Sequence, residues 1–156
     1  MASEELLMGL GSEMARNPPM RASWPGSKMS EPITELPGLS ATIDRVVHVP
    51  HLDAPPDRPH PFVYFITIRT DSDCTVTIRG RKWVVTDALD QRLVVEGDGV
   101  VGQFPRLDPG EHFSYNSYHT IGTDSVAEGA FFGVTDAGEW VFTRIPRFAL
   151  SVPIQG

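Results

Sequence analysis

Prolines and glycines, fourteen of each, punctuate this chain so often that no stretch remains for a long helix. No other feature constrains the fold as tightly. Between these breaks lie short runs in which apolar and polar residues alternate. A period of two belongs to an extended strand with one buried face, whereas the apolar residues of a helix recur every three or four positions. Runs of strand length, parted by turn residues every eight to twelve positions or so, predict an all-β antiparallel sandwich of about eight strands.

The clearest run is Phe62 to Arg69, where Phe62, Tyr64, Ile66 and Ile68 share one face and Thr67 and Arg69 take the other. Ahead of it, Ala41 to Val49 carries Ile43, Val46, Val47 and Val49. The two are joined by a loop holding Pro55, Pro56, Pro59 and Pro61, residues that cannot donate to a ladder. After an Asp71-Ser72-Asp73 turn, Cys74, Val76 and Ile78 alternate inward, which makes the Cys74 thiol inert packing. Gly80 breaks the run before Trp83 and Val85 resume it, and Leu93-Val94-Val95 follows the next turn. Phe113, Tyr115 and Ser117 alternate again, and Phe148, Leu150 and Val152 close the chain.

Asp136-Ala137-Gly138 predicts a three-residue hairpin loop with its glycine in the left-handed region. That register sets Phe132 opposite Phe142 and Val134 opposite Trp140 on one face. Phe131, Gly133, Val141, Thr143 and Ile145 lie on the other. Both faces are apolar, so the hairpin is either central or turns one side towards a partner.

A length of 156 residues fits one domain, read as residues 39–156, preceded by an extension over residues 1–38. The extension holds all five methionines, with Pro18, Pro19, Pro25, Pro32 and Pro37, and its apolar residues follow no period, so it reads as mobile. Met29 is an alternative start. A net charge of −7 offers no general attraction for nucleic acid. The sequence contains neither a continuous apolar run long enough to cross a membrane nor a secretory leader. With a single cysteine, Cys74, that has no pairing partner, cytoplasmic residence is the expectation.

Gly97-Asp98-Gly99-Val100-Val101-Gly102 matches G-x-G-x-x-G, the pattern whose backbone N–H groups cradle a pyrophosphate at a helix N-terminus. Here a strand precedes it, but Pro105 and Pro109 preclude the helix, and the dinucleotide reading fails. A glycine turn can still offer N–H groups to an anion, with Arg92 and Arg106 as flanking cations and Asp98 opposing. The same glycines also serve a tight bend. Arg79, Arg81 and Lys82 could grip an acidic partner or a phosphate, but in a net acidic chain they read first as a solvated strand end. His48, His51 and Asp53 are close in sequence but lack a third ligand at metal spacing, so no metal site is expected. No G-x-S-x-G elbow or other nucleophile arrangement appears, and no enzyme activity or cofactor is expected.

Taken together, Glu96 to Gly102, Pro105, Leu107, Pro109-Gly110, Phe113-Ser114-Tyr115, Trp83 with Thr86-Asp87, Glu128-Gly129 and Ile145 to Pro153 resemble the signature of the ApaG family. The resemblance spans roughly residues 40 to 153. It implies a fibronectin type III-like or immunoglobulin-like sandwich and bacterial cytosolic relatives. It also implies a link with cobalt and magnesium efflux, in which a chain without a membrane span is at most accessory. Similar domains occur in F-box proteins and in a DNA-polymerase-delta-interacting protein, which implies protein binding. For the glycine loop it implies pyrophosphate or nucleotide binding, with Gly97, Gly99 and Gly102 as the residues to test. The primary expectation is a non-enzymatic protein-binding module, with Phe132, Trp140 and Phe142 as a surface for a partner or a second copy. Pyrophosphate binding and an accessory efflux role are the alternatives.

Overall fold

The computed structural model describes residues 33–154. It contains nine strands and no helix among those residues: β1 (Thr34–Glu35), β2 (Leu39–His48), β3 (His60–Thr70), β4 (Val76–Asp87), β5 (Arg92–Asp98), β6 (Arg106–Leu107), β7 (His112–Ile121), β8 (Ser125–Thr135) and β9 (Trp140–Leu150). They form a six-stranded sheet in the order β1-β9-β8-β4-β5, with β6 also on β4, and a three-stranded sheet in the order β2-β3-β7. The all-β sandwich read from the sequence is the fold. β1 lies within the stretch read as an extension and pairs in parallel with β9, so the sheet begins before residue 39. The alternative start at Met29 and the mobile reading of residues 1–32 lie outside the described residues.

The core fills the space between the sheets. From β3 come Phe62, Tyr64, Ile66 and Ile68, all buried as the alternation predicts, and facing them are Trp83, Val85, Phe131 and Ile145. Thr143 Oγ1 donates to the Leu39 carbonyl at 3.0 Å and ties the layers together. A second, smaller cluster of Val49, Val63 and Tyr118, with Leu52 and Phe65, covers the outer face of the three-stranded sheet. The proline loop lies over it, and its Asp53 carbonyl accepts the Tyr118 hydroxyl at 2.9 Å.

Two local expectations change. Gly80 does not end a strand, because β4 runs through it. Instead the ladder to β8 slips between Ile78 and Gly80, leaving Arg79 as the extra residue of a bulge. The bulge reverses the parity of the inward face: Val76 and Ile78 point in before it, Arg81, Trp83 and Val85 after it. Cys74 sits in the bend before β4, half-buried against the core.

Candidate functional site

The glycine loop begins where β5 ends. Gly99 N–H donates to the Arg79 carbonyl at 2.7 Å, and Val100 and Gln103 exchange both main-chain bonds at 2.9 Å. Between them Val101 (φ 43°) and Gly102 (φ 79°) are both left-handed, as a two-residue type I′ turn requires. A β-branched residue is strained there, and packing of Val101 against the core holds it in place.

Beneath the loop lies Arg81, only 4% exposed. Its Nη1 donates to the Asp98 and Gly99 carbonyls at 3.1 and 3.0 Å. A Cβ at Gly97 would lie 2.6 Å from that nitrogen, and one at Gly99 would collide with the Gln103 carbonyl. Each glycine of the motif therefore has a shape to serve: Gly97 admits the guanidinium, Gly99 the close chain crossing, and Gly102 the turn. The loop's Gly99, Val100 and Gln103 N–H groups are engaged within the protein, and the Asp98 and Gly99 carbonyls face a cation already present.

The expected flanking cations are not gathered here. Arg92 stands at the other end of β5, six residues and about 20 Å from Asp98 at the usual strand rise. There it lines a cleft of about 360 Å³ with Asp57, Arg58 and Asp87. Arg106 pairs with Asp108 at 3.3 Å and Asp136 at 3.5 Å. Of the Arg79, Arg81 and Lys82 run, Arg81 is buried rather than solvated, and Arg79 lies over the Phe104 ring at 5.0 Å. The bulge is the reason: it turns Arg81 inward with Trp83.

Deeper in, His119 is fully buried, stacked on Tyr64 (centroids 4.9 Å) and edge-on to Trp83 (4.7 Å). Neither of its ring nitrogens has a hydrogen-bond partner among the described residues. Burial, with the Arg81 charge adding to it, pushes its pKa down to about 3, so the ring is neutral. Phe148 completes this aromatic knot at 5.9 Å from Trp83. Continuing the Phe113, Tyr115, Ser117 alternation would have placed His119 inward.

The β8–β9 hairpin has the expected register, Phe132 opposite Phe142 and Val134 opposite Trp140, and Gly138 is left-handed at φ 80°. Phe131, Val141, Thr143 and Ile145 are buried, so the other face is the outer one. On it Phe132, Trp140 and Phe142 are half-buried and belong to neither hydrophobic cluster. The Phe132 and Phe142 rings lie 6.5 Å apart, with the Arg144 guanidinium 5.6 Å from the Phe142 ring centre.

His48 lies in β2 against His60 and Phe62 (ring centroids 5.5 and 4.9 Å), and burial followed by the His60 charge lowers its pKa. Among the described residues no group of three or more His, Cys, Asp or Glu is placed to hold a metal ion. No helix among them is long and apolar enough to cross a membrane.

Comparison with known proteins agrees with the architecture. The ApaG domain family matches residues 50–134. The protein ApaG of Bdellovibrio bacteriovorus is 35% identical over 122 residues, covering 78% of this chain and 95% of that protein. That of Vibrio cholerae is 39% identical over 93 residues, covering 59% and 74%. Among solved structures, an ApaA protein from Bordetella pertussis superposes with a TM-score of 0.65 at 28% identity, covering 80% of this chain and all of that one. The family match and these relatives, together with the shared two-sheet fold, place it: the chain belongs to the ApaG family.

Proposed function

We propose that this chain is a non-enzymatic binding module whose ligand is another protein. One observation carries the reading: Phe132, Trp140 and Phe142 lie together on the outer face of the six-stranded sheet, outside both cores. Large aromatic side chains on a rigid sheet provide apolar area at little cost in conformational entropy, and Trp anchors dominate many protein interfaces. The glycine loop supports the same reading from the other side, because its strained turn and buried arginine hold the scaffold together. Single-cysteine composition supports a cytoplasmic setting. The test is affinity capture with the wild-type chain and with Trp140→Ser. Proteins held by the wild type should be lost from the variant while its far-ultraviolet circular dichroism stays unchanged. Equal capture by both would remove the aromatic face from the account.

A further inference from the structure

The free edge of β5 is self-complementary, and neither the fold nor the aromatic face uses it. Among the described residues β5 pairs with β4 alone, with no register shift. The Gln91 carbonyl accepts from Asp87 N–H at 2.9 Å, and Gly99 N–H donates to the Arg79 carbonyl at 2.7 Å. The odd-numbered residues of β5 therefore direct their main-chain groups at β4. Because an antiparallel ladder alternates, Arg92, Val94 and Glu96 direct theirs outward. By alternation their side chains belong to the sheet's outer face, where Val94 is 49% exposed in the middle of the strand, while Arg92, at the strand's start, also borders the cleft with Asp57 and Arg58. Of the devices that blunt an edge, β5 lacks a lysine, a proline and a bulge, and its charges, Arg92, Glu96 and Asp98, are of both signs and so can pair with a second copy.

We propose that a second copy of this chain adds to this edge, antiparallel and two-fold symmetric about Val94. About that axis Val94 meets Val94 of the second copy, and Arg92 meets Glu96 of the second copy on both sides. The facing residues are the ones whose N–H and C=O groups point outward, so each facing pair exchanges two main-chain hydrogen bonds. Opposite charges directly across a ladder add to the pairing, and like charges oppose it. Other registers are poorer. Centring on Val95 also brings Arg92 opposite Asp98, but it sets each Val94 against a Glu96 carboxylate and calls on an Asp98 carbonyl already taken by Arg81. Centring on Glu96 opposes the two glutamates. Strand pairing alone covers less area than the roughly 1,200–2,000 Å² of a stable complex. The dimer is therefore reversible and concentration-dependent.

Sedimentation velocity on the full chain, from about 10 μM to about 1 mM, tests this. The mass should climb from 17.2 kDa towards twice that value. Arg92→Glu alone and Glu96→Arg alone should each remain at the lower mass, since each sets like charges opposite one another. An equimolar mixture of the two variants should recover the heavier species, because acidic positions on one chain then meet basic ones on the other. A wild type that stays at 17.2 kDa throughout, single variants that associate as well as the wild type, or a mixture that stays monomeric would each overturn the proposal.

Discussion

Removing the Arg81 guanidinium leaves the Asp98 and Gly99 carbonyls without their buried donor. Losing hydrogen bonds from a charged donor to buried acceptors typically costs about 2–4 kcal/mol, and Arg81→Met should lower unfolding free energy by that amount. Gly97→Ala should also destabilise the wild type, because its Cβ would sit 2.6 Å from Nη1. In the Arg81→Met background the same change should cost less, with a coupling of about 1–3 kcal/mol between the two sites. Urea denaturation of the four proteins in the cycle measures it, and strict additivity would contradict the contact.

His119 gives a second residue-level test. Its pKa is about 3 in the folded chain, against about 6.5 for an unperturbed histidine. The folded state refuses a proton that the unfolded state accepts. The stabilisation is thus complete above pH 6.5 or so and is lost as pH falls towards the folded value. This group should remove about 2 kcal/mol of stability between pH 7 and pH 5. His119→Phe should flatten that slope, and an unchanged slope would contradict a buried neutral ring. Both residues were partly legible. The alternation of Phe113, Tyr115 and Ser117 runs straight on to His119, and the parity switch between Ile78 and Trp83 signals a bulge. Where the extra residue falls was not legible, since Arg79, Gly80 and Arg81 offer no pattern of their own, and this reversed the burial of Arg81.

At the level of elements, the β8–β9 hairpin was the most legible part of the sequence. Its loop residues set the register, and the register assigned every side chain to a face. Which face was the core could not be read, because both are apolar, and that depends on the three-stranded sheet packing against one side. The structure settles it with Phe131 fully buried and Phe132 half-buried. Phe131→Ala should cost about 3–5 kcal/mol, the usual loss for a buried phenylalanine. Phe132→Ala should cost less than half as much in the same denaturation experiment. Equal losses would mean that the outer face is packed as tightly as the inner one.

At the scale of the whole molecule, the described residues form two sheets of unequal width, and the sequence described that well because alternation and turn chemistry act locally. The candidate site was less legible. The glycine motif left both an anion and a tight bend open, and its residues close a turn over Arg81. The flanking cations Arg92 and Arg106 are drawn to other places by strand length and by Asp108 and Asp136. Among the described residues, the wider sheet leaves over an aromatic outer face and a β5 edge that pairs with β4 alone. The most direct measurement of the binding role places a photoreactive phenylalanine analogue at Phe142 in one chain. A second chain carries it at Arg69, which is exposed on the narrower sheet. Irradiation in cells should give heavier, partner-containing adducts from position 142 and none from position 69. Adducts from position 69 alone, or equally from both, would contradict the aromatic face as the binding surface.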